Sequence, residues 1–357
     1  MTPVSTNTRE HPGAHGEKKM THTARRRMLA GTAAAGLLAT SLGVAVAAPA
    51  TAATGRPALG ACTISTLPYP TDTYRADANA IDPTGRFVAG TALRIEETGN
   101  QYLLLFWDRD RLTEVEAPSM ATPADINEDG VVIGNGWSES GDGQPWRYRD
   151  GQVELLPVVP SSTGIDVTAI NKAGDIVGSG TDVDTNEFFV VRWPAARPGT
   201  VEVLDVPANA TPSGITDNGT IVGMAGDFGS WTGWIRRPNG RIKPLTVPGT
   251  QSTVVNAAAG HWAIGNVTPG DGNAVKVRWD LRNGSYTPLD QRLSVLDDVN
   301  AKGVVVGGDR VARGANSREL PGGGDRVGLG GRSISDTGAI VGFRNADRLT
   351  PVRWTGC

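Results

Sequence analysis

The chain has 357 residues with 39% hydrophobic, 6% aromatic and 20% charged residues and a formal charge of −3, too apolar and too weakly charged for a disordered chain. Its 47 Gly and 23 Pro interrupt helices too often for a helical protein, so many short strands separated by turns fit better. With no basic excess it does not fit a nucleic-acid binder, which meets phosphates with a basic face.

Residues 1–52 read as an export signal. Arg25-Arg26-Arg27 precedes an uncharged run from Ala30 to Ala48, and Ala50-Thr51-Ala52 offers the small residues of a cleavage site. Arginines ahead of a weakly apolar Ala/Gly run resemble a twin-arginine signal, cleaved after Ala52. The alternative is an uncleaved anchor, long enough to span a bilayer but poor in large apolar residues. A start at Met20 would give the signal an n-region of ordinary length. Residues 53–60 form a short linker, and 61–357 the folded domain. The leader holds six of the 34 Lys and Arg and two of the 37 Asp and Glu, which leaves 28 basic against 35 acidic residues. His261 is the one histidine that remains. Cys62 and Cys357 lie at the two ends, and two cysteines in an oxidising compartment suggest one disulfide.

The folded domain is a repeat. An apolar residue, a small polar one, two variable residues and Gly precede a β-branched run ending in Gly. Copies begin at Ile81, Ile126, Ile170, Ile215, Val255, Val299 and Ile334, with spacings of 45, 44, 45, 40, 44 and 35. Asn or Asp followed by Gly is tight-turn chemistry, and Val131-Val132-Ile133-Gly134 is strand-like. Each unit is therefore a hairpin, followed by a strand bearing Trp107, Trp146, Trp193, Trp234, Trp279 or Trp354 and a last strand such as Val153-Glu154-Leu155-Leu156-Pro157. Four strands per unit and seven units make a seven-bladed β-propeller, in which closure leaves few free edges. An open stack of hairpins and a pair of β-sandwiches are the alternatives. The sixth copy lacks the Trp and carries Pro321-Gly322-Gly323-Gly324, so six regular blades plus an irregular one is also open.

The seventh copy ends after three strands, while Thr63-Ile64-Ser65-Thr66-Leu67-Pro68 stands as an orphan ahead of the first. The N-terminal strand is expected to complete the last blade. Aligning Leu67-Pro68 with Leu156-Pro157 puts Cys62 on Gly151, and aligning Trp354 with Tyr148 puts Cys357 there too. A Cys62–Cys357 disulfide would then replace the peptide link between third and fourth strands; two unpaired cysteines at frayed ends are the alternative.

Asp125-Ile126-Asn127-Glu128-Asp129-Gly130-Val131-Val132-Ile133-Gly134 and Ala169-Ile170-Asn171-Lys172-Ala173-Gly174-Asp175-Ile176-Val177-Gly178 resemble the repeat of the extracellular HAF-repeat family, and the resemblance covers nearly all of 75–357. The family's His-Ala-Phe is missing; Leu104-Leu105-Phe106, Phe189-Val190-Val191 and Val275-Lys276-Val277 stand in its place. The resemblance implies a propeller fold and export, and no reaction.

Chemistry is thin. His261 follows a turn and reads as structural. Asp182-Val183-Asp184-Thr185-Asn186 begins like a calcium loop but continues with Glu187 instead of Gly. No cofactor or metal site is expected. The loops between second and third strands share one face and vary most, so binding is expected there. The first is at Glu96–Asn100; those that follow carry Trp137, Glu139, Asp142, Asp182, Asp184, Asp227, Phe228 and Trp231; the last two, at Arg310–Arg313 and Arg344–Arg348, are basic. The expected function is an exported, monomeric, non-catalytic binding or scaffold propeller with an extracellular glycan or peptide ligand and no nucleic-acid or, after cleavage, membrane partner. The alternative is a carbohydrate-active enzyme using paired loop carboxylates.

Overall fold

The computed structural model describes residues 62–97, 99–117, 121–138, 141–227 and 229–357; the expected export signal and linker lie outside these, as do Glu139 and Phe228. The described residues form seven four-stranded antiparallel sheets and no helix. Blades 1 to 6 span 75–116, 122–155, 162–203, 210–245, 250–288 and 298–319. Blade 7 takes Gly328–Ile334, Ile340–Asn345 and Leu349–Thr355, with Thr63–Thr66 as its outer strand. The chain is a seven-bladed β-propeller.

The repeated residues each have a job in the ring. The turn glycines adopt left-handed backbone, as at Gly130 with φ 76° and Gly174 with φ 85°, where an L side chain is strained. The glycine closing each β-branched run is needed for space. A Cβ at Gly265 would lie 2.0 Å from the Val254 carbonyl oxygen and 2.9 Å from the Trp279 ring. A bulge in the first strand goes with this close approach, as between Ala78 and Ala80 and between Gly331 and Ser333.

The turn asparagines work in two directions. Asn171 Oδ1 accepts from the Asp175 N–H within its own turn, while Nδ2 donates to the Thr216 carbonyl of the next blade at 3.4 Å. Asn127 donates likewise to the Asn171 carbonyl at 3.3 Å and Asn300 to the Ser335 carbonyl at 2.9 Å. All three are buried, so an unmet amide would be costly there.

The third strands join neighbours in both directions through a repeated Val-Arg-Trp. Trp354 Nε1 donates back to the Pro321 carbonyl of blade 6, and Arg353 reaches forward to the Gly85 carbonyl of blade 1. Trp193 and Trp107 donate back to the Pro157 and Pro68 carbonyls at 2.8 and 2.7 Å. Arg278 donates forward to the Gly303 carbonyl while lying 4.0 Å from the Trp262 ring. Adjacent residues on a strand point to opposite faces, so one dipeptide serves two interfaces. The rings make the core: Trp107 packs with Leu67 and Val341 of blade 7, and Trp146 with Ala80 and Leu104 of blade 1. Burying one such ring is worth up to about 4–6 kcal/mol by area.

The tryptophans occupy two registers. In blades 1, 3, 5 and 7 the Trp faces the residue two before the second-strand glycine, as Val88↔Trp107 and Ile176↔Trp193. Blades 5 and 7 repeat this as Ala263↔Trp279 and Ile340↔Trp354. In blades 2 and 4 it faces the glycine itself, Gly134↔Trp146 and Gly223↔Trp234.

The sixth copy forms a full sheet, with strands of two to four residues. Ala312 faces Val305 where a Trp would stand, and Leu289, Leu293 and Leu296 from the preceding connector fill the space. Ring closure follows the sequence expectation. Thr63 pairs with Thr355 and Thr66 with Val352, and Cys62 is disulfide-bonded to Cys357 with Cα atoms 4.7 Å apart. Thr63↔Thr355 matches Arg149↔Gln152 of blade 2, so both cysteines take the place of Gly151.

Candidate functional site

First strands run toward the Asn-x-x-Gly turns and third strands toward the Trp, so the second-to-third loops gather on the opposite face. Trp137 ends the second strand of blade 2, opposite Gly143, and is 50% exposed. Asp142 closes the same loop, its N–H donating to Ser138 Oγ and its carbonyl accepting the Ser138 N–H, both at 2.9 Å. On blade 3, Asp182 Oδ1 accepts the backbone N–H groups of Asp184 and Thr185 at 3.0 and 2.9 Å. Those donors hold its carboxyl below the usual carboxylate range, which suits a loop anchor and not a general acid near neutral pH. Asp184 is exposed. On blade 4, Asp227 Oδ1 receives Asn209 Nδ2 at 3.5 Å.

Trp231 differs from Trp137. Its N–H donates to Ser252 Oγ at 3.1 Å and its carbonyl accepts the Thr253 N–H at 2.7 Å, so it is half-buried on the first strand of blade 5. The structure thus spreads these residues over the loops of blades 2, 3 and 4. One groove on this face, of about 270 Å³, contains Asp182 with Thr185, Glu187, Phe189, Val203 and Val159.

Two expected loops are corrected. Arg310–Arg313 is the third strand of blade 6; the true turn is Gly308-Asp309, and Arg310 is paired with Glu319 at 2.7 Å. The loop expected at Glu96–Asn100 is mostly strand, because Glu96 already pairs with Gly99. Arg344 and Arg348 do reach the long-loop face but are engaged: Arg344 donates to the Gly322 carbonyl and Arg348 to Thr71, Thr73 and Tyr69 Oη.

Residues that sequence reasoning missed lie at the other end of the axis. All seven blades line a cavity of about 110 Å³ there, which contains Asp125, Asp217, Asp298 and Asp336. Asp125 accepts the Ile126 and Ile170 N–H groups at 2.8 and 2.9 Å, and so joins blade 2 to blade 3. Asp298 accepts from Val299 N–H, Ile334 N–H and Ser333 Oγ, joining blade 6 to blade 7. Surrounding protein pushes their pKa values up to about 7 and about 6, against the pull of those donors. Both retain part of their surface toward the channel, and no Lys, Arg or His lines it. The available signal was an Asp before the motif's apolar residue, where Ala80 and Ala169 stand in other copies.

His261 lies at the short-turn end, its ring 4.5 Å from that of Trp262. Among the described residues no group of three or more His, Cys, Asp or Glu is placed to hold a metal ion.

No protein-family model matches the sequence, and no curated protein matches it. Solved structures do. The β-propeller domain of the Trilobed protease from Pyrococcus furiosus, which has an open velcro topology, is 10% identical with a TM-score of 0.59, over 80% of this chain and 95% of that one. An acylaminoacyl peptidase from Pyrococcus horikoshii is 12% identical with a TM-score of 0.56 over 80% of this chain and 52% of its own. This chain thus spans about half the length of that peptidase. A putative TolB from Agrobacterium tumefaciens is 13% identical with a TM-score of 0.44, over 64% of this chain and 87% of that one. At these identities the likeness to the first two is one of fold.

Proposed function

We propose that the protein is exported and acts outside the cell or at the cell wall as a non-catalytic binding or scaffold propeller, with its ligand on the long-loop face. The observation that carries this is the unequal use of the two faces. At the short-turn end polar groups are consumed in ties between blades: Asn127, Asn171, Asn300, Arg278 and Arg353 all bond to a neighbouring blade. On the long-loop face Trp137 of blade 2 and Phe188 of blade 3 are 50% and 42% exposed, and the blade 3 acids Asp184 and Glu187 are exposed too. Ring area with polar partners is what glycan or peptide recognition uses.

The Cys62–Cys357 bond supports the compartment, because such cross-links persist in non-reducing surroundings. The arginines ahead of Ala30–Ala48, the Ala50-Thr51-Ala52 site and the resemblance to HAF-repeat proteins support export. In this reading the mature protein is a monomer that needs no cofactor and takes neither nucleic acid nor membrane as partner.

The test applies mature protein to glycan and peptide arrays, beside a hydrolysis screen of whatever binds. Capture that Trp137→Ala weakens while the melting temperature stays put is the expected result. Turnover of a captured glycan would refute the non-catalytic reading. Capture indifferent to Trp137→Ala and to the blade 3 loop would refute the choice of face.

A further inference from the structure

Blade 3 has a groove at its long-loop end. After the Leu204 N–H bonds to the Val190 carbonyl the outer strand leaves the sheet, as in blade 2 after the Leu156 N–H bonds to the Pro145 carbonyl, and the Phe188 N–H is taken by Asn209 Oδ1. Beside that end lies the groove of about 270 Å³, with Val159, Phe188, Phe189 and Val203 as walls and Asp182 and Glu187 on its rim. Of the ten exposed large hydrophobic residues among the described ones, Phe188 and Val203 line it, at 42% and 57% exposure, and Val158 and Val183 are chain neighbours of its lining residues Val159 and Asp182. A concentration of this kind marks an interaction surface.

The charge around it has one sign. The second-to-third loops of blades 2 to 5 carry Asp142, Asp182, Asp184, Glu187, Asp227 and Asp271, and no Lys, Arg or His among their described residues. The connectors at 156–161, 204–209 and 246–249 add no basic residue. An acidic ligand would meet carboxylates of its own sign, while a cationic one would meet no like charge. The walls are valines and the side chains of Phe188 and Phe189.

We infer that this groove seats an extended segment of another protein in which apolar residues alternate with lysine or arginine; the inference rests on the long-loop face being the binding face. Side chains of an extended segment alternate in direction. Apolar ones would enter between Val159, Phe189 and Val203, while the cations turn to the rim and neighbouring loops.

The experiment measures fluorescence anisotropy of a labelled octapeptide alternating Lys and Leu, with Glu/Leu and Lys/Ser octapeptides as controls. Wild type should bind the Lys/Leu peptide, more weakly at high salt. The double variant Glu187→Lys with Val203→Lys, both at exposed positions, should bind at least roughly tenfold more weakly with an unchanged melting temperature. Asp271→Lys, on blade 5, should have a far smaller effect. Equal binding of Lys/Ser would mean charge alone, and equal binding of Glu/Leu would mean unspecific apolar adhesion; either overturns the inference. So does failure of the Lys/Leu peptide to bind, or an equal loss in Asp271→Lys. Glycan capture that depends on Trp137, with no peptide in the groove, would overturn the groove and leave the long-loop face standing. Capture mapped to the short-turn face would overturn both.

Discussion

Removing the cross-link with Cys62→Ala and Cys357→Ala isolates what covalent closure contributes. The bond joins residues 295 apart in sequence, and loop-entropy scaling then gives about 5.7 kcal/mol of stabilisation through the unfolded chain. Unfolding entropy of about 2.1 cal/mol/K per residue, over roughly 300 residues, is about 0.6 kcal/mol/K, so the melting temperature should fall on the order of 9 °C. Calorimetry of the double variant and the oxidised wild type, both without reductant, reads this directly. The Thr63–Thr66 pairing with Val352–Thr355 survives in the variant, so the folded ring should keep its strand signature below the transition. Thiol titration is the companion assay: mature wild type should show no free thiol, and Cys62→Ser should unmask one, at Cys357. A drop under about 2 °C would refute the entropy argument and leave closure to strand pairing alone. Two reactive thiols in unreduced wild type would refute closure itself.

The axial carboxyls make a pH prediction. Burial raises Asp125 to about 7 and Asp298 to about 6, so the fold favours their protonated forms. That contribution is fully present below the unfolded value near 4 and is lost as pH rises toward 7, on the order of 2–4 kcal/mol. Asp125→Asn should therefore gain stability relative to wild type between pH 5 and pH 8 in melts compared pairwise; a difference constant with pH would count against it. Asn171→Asp removes the donor to the Thr216 carbonyl and should cost about 1–3 kcal/mol in the urea midpoint, with no loss if the tie is idle. Trp354→Phe should cost about 1 kcal/mol more than Trp279→Phe. Both rings are fully buried, but only Trp354 Nε1 has a partner, the Pro321 carbonyl; equal costs would show that bond to be worthless.

The blade count, the borrowed outer strand and the cysteine pairing were legible because each rests on a local pattern repeated in register. A small polar residue three places ahead of Gly marks the same turn in most copies. What one strand does to its neighbours was not legible. Asn171 reads as a turn residue, yet its amide donor belongs to the next blade; Val-Arg-Trp reads as one amphipathic strand, yet Arg353 and Trp354 serve opposite partners. Blade 6 looked degenerate because its filling comes from Leu293 and Leu296 in a connector that no other copy matches. The loops were visible as variable and acidic, but variability does not distinguish exposed Trp137 from docked Trp231. Arg310–Arg313 was read as loop because basic residues obscured a strand whose apolar members are only Val311 and Ala312.

The two tryptophan registers divide the ring into an alternating arc and a uniform one. From blade 1 to blade 5 they alternate, Trp107, Trp193 and Trp279 against Trp146 and Trp234. Blade 6 has Ala312 opposite Val305, two before Gly307, and blade 7 has Trp354 opposite Ile340, so blades 5, 6, 7 and 1 keep one register in succession. The chain begins and ends inside that uniform arc: Trp107 rests on Leu67 and bonds to Pro68, both just beyond the borrowed strand. An extra blade of the Trp354 kind inserted between 7 and 1 would therefore extend the arc, whereas one of the Trp146 kind would meet a changed register on both sides.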